Sequence, residues 1–434
     1  MIRTIDLRGV HPTRSVFARS IPRPTVDVGR AMDTAEQLIT AVRERGAQAL
    51  REQAELFDGG APKNVRVHES EITAAVSALS VPVRDALEEA IHRVRQASRA
   101  QIPESTLTQL ASGALIEQRW QPVERAGLYV PGGKAVYPSS VVMNAVPAQV
   151  AGVESIALAS PPQRAHDHCV HPTILAAAGL LGIDEVYAMG GAGAIGALAW
   201  GVDEIGLEPV SMVTGPGNVY VAAAKRVVRG QTGIDAEAGT TEIMVIADSA
   251  ANPEWVAADL LSQAEHDEAA ASILVTDSAE YAHAVSDHLE RQLRNTAHAD
   301  RAAIALSGPQ SAIVLVDDLE AAAAFCNVYG PEHLEIHTED PQRVLDNVHN
   351  AGAIFIGPYS PVSVGDYLAG SNHVLPTGGQ ARFSSGLGAF SFLRPQQVVR
   401  YDADGLAAVA DRVVALSHAE DLPAHGEAVT VRFA

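Results

Sequence analysis

Gln263 and His266 stand at i and i+3 in Leu260-Leu261-Ser262-Gln263-Ala264-Glu265-His266-Asp267, a spacing that puts an amide and an imidazole on one face of a helix. Asn252-Pro253 would start that helix, and Ala257, Leu260, Leu261 and Ala264 would form its apolar stripe. Such a face can donate to a metal, and it can equally be a polar turn with a solvent-facing histidine. Asp366 in Gly365-Asp366-Tyr367 offers a hard oxygen and His425 a further nitrogen. Gln263, His266, Asp366 and His425 together would suit Zn²⁺, provided that tertiary structure joins them. The denser group His166, His168, Cys169 and His171 follows Pro161-Pro162 and is expected to be a solvated connection.

Tyr329-Gly330-Pro331-Glu332-His333 sets a carboxylate beside an imidazole on a Gly-Pro turn. His333 can accept a proton from an alcohol while Glu332 activates water, although adjacent Glu-His pairs are also common on surfaces. His373 and Glu420 add a further imidazole and acid. Gly191-Ala192-Gly193-Ala194-Ile195-Gly196 fits Gly-x-Gly-x-x-Gly, which between a strand and a helix lets backbone amides approach a pyrophosphate. The acid expected about 20 positions further on is missing, and tight helix packing is the alternative. Thr214-Gly215-Pro216-Gly217-Asn218 offers amides to a nucleotide or makes an ordinary βα turn, and Tyr129 before Pro131-Gly132-Gly133 could flank a base or belong to the core.

These groups need a scaffold. Helical periodicity covers residues 34–57 and 82–101. Apolar runs at 127–130, 155–159 and 185–189, and again at 243–247, 271–275, 312–316 and 353–357, alternate with helical patterns. That alternation predicts an α/β protein with two Rossmann-like, incomplete parallel sheets and a ligand cleft between them. The first 30 or so residues, punctuated by Pro and Arg, read as an arm laid over another surface, and the tail after Gln380 is Gly- and Ser-rich and then helical.

Composition narrows the partners. The chain has 434 residues, 47% of them hydrophobic, and a formal net charge of −21. No Lys/Arg run exists, so a small-molecule partner is expected and nucleic acid is not. Cys169 and Cys326 lack Cys-x-x-Cys spacing, which points to a reducing compartment. No apolar stretch approaches the roughly 20 residues of a membrane span, and the N-terminus lacks a signal-like core, so a cytoplasmic protein without a membrane partner is expected.

The strings Tyr129-Val130-Pro131-Gly132-Gly133, Thr214-Gly215-Pro216-Gly217-Asn218, Ala238-Gly239-Thr240-Thr241-Glu242, Ser262-Gln263-Ala264-Glu265-His266, Pro331-Glu332-His333-Leu334-Glu335, the run from Gly365 to Thr377, and Glu420-Asp421-Leu422-Pro423-Ala424-His425 stand in one order along the chain. In kind and order they resemble the histidinol dehydrogenase family. The resemblance implies NAD-dependent, four-electron oxidation of L-histidinol to L-histidine through a retained aldehyde, the last step of histidine biosynthesis, with two NAD⁺ and one Zn²⁺. By motif it implies Gln263, His266, Asp366 and His425 as zinc ligands that also contact substrate, with His425 reaching into the partner of a homodimer that shares its active sites. Glu332 and His333 become the acid/base pair, with His333 also against substrate. Thr241, His373 and Glu420 become substrate contacts, and Tyr129, Gly193 and Asn218 cofactor contacts. The corresponding division is an arm at 1–28, a zinc and substrate lobe at 29–128 plus 242–380, an inserted dinucleotide lobe at 129–241, and a C-terminal dimerisation segment at 381–434.

The chain departs from the family pattern in three places. Gly193 stands where the family usually has Gln, Thr240-Thr241 where Pro-Ser is usual, and Asp421 where Gly is common. A zinc hydrolase using Glu332 to activate water, or a homologue that only binds ligand, are the competing readings; NADH formation from histidinol separates them from the dehydrogenase.

Overall fold

The computed structural model describes residues 2–10, 13–20, 23, 28–132, 135–237 and 239–434. Gly133 of the Tyr129 turn, Ala238 and parts of the expected arm therefore lie outside the described residues. The apolar runs become strands of two parallel sheets, and strands such as Glu242–Ala247 and Ala271–Thr276 are buried throughout. Parallel strands covered on both faces need such uninterrupted apolar sequence, because neither face meets water.

One sheet has, in spatial order, Val186–Ala188, Ser155–Ser160, Arg125–Tyr129, Met212–Thr214 and Gly233–Ile234. Its strand order reverses between Arg125–Tyr129 and Met212–Thr214, the position where doubly wound sheets open a crevice. The other runs Arg3–Asp6, Ala312–Leu315, Ala271–Thr276, Glu242–Ala247, His333–His337 and Ala353–Ile356, and it reverses between Glu242–Ala247 and His333–His337. The architecture is α/β with two parallel sheets, as the alternation of strands and helices predicts.

Four features differ from the sequence expectations. The helices Val28–Phe57, broken at Gly46 (φ 53°, ψ −129°), Glu69–Ala78 and Val81–Arg99 share cores with the five-stranded sheet, whereas residues 29–128 were grouped with the other sheet. An amphipathic stripe shows that a helix is covered but not what covers it. The segment expected to be a plain arm contains an edge strand, Arg3–Asp6, paired parallel to Ala312–Leu315. It also holds the helix Arg14–Ser20, which sets Phe17 edge-on to Phe325 with ring centroids 5.4 Å apart.

Third, an antiparallel sheet joins Thr106–Ala111, Ala114–Pro122 and Leu393–Tyr401. Thr106–Ala111 is exposed along its whole length, so no buried face imposes the alternation by which a strand is recognised. Fourth, residues 191–196 lie inside the helix Gly191–Trp200 and follow the third strand of their sheet, not the first. Beyond Leu393–Tyr401 the chain ends in the helices Ala410–Ala419 and Pro423–Thr430, packed on each other. No helix among the described residues is long and apolar enough to cross a membrane.

Candidate active site

At the N-terminal ends of Glu242–Ala247 and His333–His337, which pair side by side, the chain gathers Thr241, Glu332, His333 and Gln263. Asn252 caps the helix Pro253–Ala264 by accepting from the Glu254 amide at 2.9 Å, and Pro253 opens it. The helix thus begins at the predicted residues, and its C-terminal turn delivers Gln263 to the strand ends. Gln263, 1% exposed, donates from Nε2 to Thr241 Oγ1 at 2.7 Å. The Thr241 hydroxyl donates in turn to Glu332 Oε2 at 2.6 Å, and the Glu242 amide donates to the same oxygen at 2.9 Å. The relay commits Gln263 Nε2 as a donor and leaves the amide oxygen, a pure acceptor, to ligate a cation.

His333 is 5% exposed, and its Nδ1 lies 3.2 Å from the Glu242 carbonyl oxygen. A carbonyl only accepts, so Nδ1 carries the proton and Nε2 is left as a lone-pair acceptor. That Nε2 is buried and has no hydrogen-bond partner. Buried polar atoms are normally satisfied, so an orphaned one beside a carboxylate marks a place where a further group docks. The Glu332 carboxylate lies 3.5 Å from His333 Nδ1. Burial pushes the Glu332 carboxyl above its ordinary range and the Asp366 charge adds to this, against the pull of His333, the Thr241 hydroxyl and the Glu242 amide.

His266 Nδ1 sits 3.1 Å from the Ser262 carbonyl and 3.2 Å from that of Gln263, an orientation that frees Nε2 for a metal. His373 donates from Nδ1 to the Asp366 carbonyl at 3.0 Å, and its Nε2 lies 2.9 Å from Ser140 Oγ. The Asp366 carboxylate is 4.0 Å from the same ring. Burial lowers the His373 imidazole below its ordinary value; His333 and His266 add to that, and the Asp366 charge and carbonyl oppose it. The Asp366 and His266 charges both act on the His373 imidazole, and the His266 ring lies against the Gln263 carbonyl; an amide oxygen, an imidazole and a carboxylate make a donor set that fits Zn²⁺.

His425 and Glu420 are exposed, His425 on the helix Pro423–Thr430 and Glu420 at the end of Ala410–Ala419, and no hydrogen bond or ion pair among the described residues joins either side chain to Gln263, His266 or Asp366. Among the described residues, the His, Cys, Asp and Glu side chains that come within 4.8 Å of one another as a potential metal group are Asp259, Glu335 and His337. The cluster His166, His168, Cys169 and His171 forms no such group. His166 and His171 instead pack edge to face at 4.4 Å, and His171 caps the helix Pro172–Leu180.

The cofactor contacts expected from sequence separate. Tyr129 and the Thr214–Asn218 turn flank the strand-order reversal of the five-stranded sheet. Tyr129 is 3% exposed, so its ring lies in the core and cannot flank a base; its hydroxyl accepts from the Gly191 amide at 3.1 Å. Asn218 is exposed and its Oδ1 caps the next helix through Tyr220 and Val221, at 3.0 and 3.2 Å. Gly193 lies within a helix, and a Cβ on it would come 2.1 Å from Gln53 Oε1, while one on Gly196 would press on Ile39. The tight-packing alternative accounts for these glycines.

The supporting roles of several residues are visible only in the fold. Gly215 (φ +119°) must be glycine, since a Cβ there would sit 1.9 Å from the Tyr129 carbonyl oxygen. Lys225, 1% exposed, pins that turn by donating to the Gly215 carbonyl and to Asp235 Oδ1 at 2.5 Å. A lysine inside Val221-Ala222-Ala223-Ala224-Lys225 was the available signal. Glu242 is a second buried acid, pushed up to about 7 by burial, with Glu332 adding and Arg23, the Tyr329 hydroxyl and the Gly378 amide opposing.

Residues 21–433 match the sequence profile described as histidinol dehydrogenase. A histidinol dehydrogenase of Leifsonia xyli subsp. xyli is 72% identical over 432 residues, covering 100% of this chain and 99% of that one. One from Mycobacterium tuberculosis is 53% identical over 436 residues, covering 100% and 98%. The crystal structure of histidinol dehydrogenase from Elizabethkingia anophelis superposes with a TM-score of 0.93 at 34% identity, covering 100% of this chain and 98% of that one.

Proposed function

Because the chain belongs to the histidinol dehydrogenase family, we propose that it oxidises L-histidinol to L-histidine through histidinaldehyde, reducing two NAD⁺ with the help of one Zn²⁺. The single observation that carries the acid/base assignment is His333, its Nδ1 proton committed to the Glu242 carbonyl and its buried Nε2 unpartnered. A bound NAD⁺ would supply the hydride acceptor in each half-reaction. In the first, His333 Nε2 takes the hydroxyl proton of the substrate. In the second, Glu332 removes a proton from the water that adds to the aldehyde, and His333, free again of the first proton, takes one from a hydroxyl of the hydrate. The raised carboxyl suits Glu332 to this work, since a stronger base accepts the proton of water more readily.

Gln263, His266 and Asp366 would hold the zinc, with His425 of a second copy, and the ion would orient the substrate's amino and imidazole nitrogens. Thr241 positions Glu332 and Gln263 together; His373, held between Ser140 and Asp366, and Glu420 of a second copy would contact the substrate. The turns at Tyr129 and Thr214–Asn218 would hold a dinucleotide at the crevice of the five-stranded sheet. A closed cleft would keep the aldehyde from escaping to bulk solvent while admitting the one water that Glu332 activates. A cytoplasmic homodimer is the corresponding assembly.

Histidinol-dependent NADH formation, with two NADH per histidinol consumed and loss of activity on zinc removal, is the expected result. Absence of NADH with turnover of an ester or amide would replace this function by hydrolysis. Sharing of the site between subunits has its own test. Mixed inactive His425→Ala and Glu332→Ala chains should regain up to about a quarter of wild-type activity, since a random mixed dimer rebuilds one intact site. No recovery after subunit exchange would show that each site is built within one chain.

A further inference from the structure

The six-stranded sheet has a second chemically equipped edge that the proposed reaction does not use. Glu332, His333 and Thr241 stand at the N-terminal ends of its strands, yet ligands of doubly wound sheets settle beyond the C-terminal ends, where the strand order reverses. In this sheet that reversal lies between Glu242–Ala247 and His333–His337. His337 ends its strand there and Glu335 lies two residues before it on the same face. Asp259 faces them from the helix Pro253–Ala264.

We propose that Asp259, Glu335 and His337 form a second divalent-cation site, separate from the active site, that clamps the helix Pro253–Ala264 to the strand His333–His337. The ligand atoms of all three side chains lie within 4.8 Å of one another. Glu335 Oε2 and His337 Nε2 are 3.2 Å apart, close to the edge of about 3.3 Å that a tetrahedron with zinc–ligand bonds of about 2.0–2.1 Å requires. The other Glu335 oxygen is fixed by the Val362 amide at 2.8 Å, so Oε2 is aimed and not free to swing away. Glu335 is 0% exposed and His337 5%, whereas Asp259 is half-buried and supplies the way in.

A separate feature points to a ligand. Tyr281, 5% exposed, lies in the first turn of the neighbouring helix Ala279–Leu293 with a hydroxyl that is buried and unpartnered; burial holds its proton on, and the Asp248 and Asp259 charges add to that. A water on the cation would give that hydroxyl its missing partner. Two carboxylates also face one imidazole here, and among the described residues no Lys or Arg pairs with either acid. Two carboxylates and one histidine suit Zn²⁺ or Mn²⁺. Asp259 is one helical turn from Gln263 and Glu335 two residues from His333, so the clamp would hold both elements that carry the active site.

The test uses the full chain, stripped with chelator, reloaded with Zn²⁺ alone and passed through gel filtration before metal analysis. Two zinc per chain are expected in the wild type, one in His337→Gln, one in His266→Ala and none in the double variant. Zn²⁺ should raise the melting temperature of His266→Ala by at least about 2 °C and leave the double variant unchanged. Equal zinc in His337→Gln and the wild type would overturn the proposal. If His337→Gln does not fold, Asp259→Asn, which is isosteric and relieves the acid pair, must lose the same equivalent, and a full complement there overturns the proposal too. Failure of the active-site assignment looks different: His266→Ala would keep the wild-type zinc while His337→Gln still loses one.

Discussion

Replacing His333 by Asn is expected to slow histidinol oxidation by roughly 10²–10⁴-fold, the usual contribution of a positioned general base. Asparagine can still donate to the Glu242 carbonyl, so the strand ends stay in place, but it offers no basic lone pair where Nε2 now sits unpartnered. Substrate affinity should change little, because the lost interaction is a proton transfer. Raising the pH should recover part of the lost rate as hydroxide takes over the proton. A variant within a few-fold of wild type at neutral pH would remove His333 from the chemistry.

Glu332→Gln is expected to divide the reaction in two. A glutamine oxygen can accept from the Thr241 hydroxyl and the Glu242 amide as Glu332 Oε2 does, so the fold and the alcohol step should survive. The aldehyde step needs a base for water and should fall by about 10²–10⁴-fold. In single-turnover measurement the NADH yield should then drop from two per histidinol toward one, with aldehyde retained. Since burial raises the Glu332 carboxyl, the wild-type aldehyde step should gain rate as pH rises through a value above the ordinary carboxylate range, where the basic form is populated. Equal loss of both steps would contradict the division of labour.

Much of the scaffold was legible because parallel strands need apolar runs. Ser155–Ser160, Glu242–Ala247 and Ala271–Thr276 fall where those runs predict. The glycines at 191, 193 and 196 misled because the pattern that lets amides meet a phosphate also lets two helices meet closely, and only the contacts of Gly193 with Gln53 and Gly196 with Ile39 tell the two apart. The strand Leu393–Tyr401 has neither a sustained polar–apolar alternation nor a buried face, so it carried no recognisable period. Within the site, the residue types of Gln263, His266, Glu332 and His333 were visible in the chain. The hydroxyl relay through Thr241, the tautomer of His333 and the company kept by Asp259 arise from contacts between distant segments, which local sequence does not encode.

The two sheets meet the proposed cleft with opposite ends. Ser140, in the first turn of the helix Pro138–Ala151 that follows Arg125–Tyr129, bonds His373, so the C-terminal edge of one sheet touches the N-terminal edge of the other. On the first side helices begin and present amide hydrogens, carrying partial positive charge; on the second the helix Pro253–Ala264 ends and presents carbonyl oxygens, carrying partial negative charge. Bound as proposed, an anionic pyrophosphate and a divalent metal would each meet a backbone end of complementary sign. The polarity of the fold would then sort anion from cation before any side chain takes part.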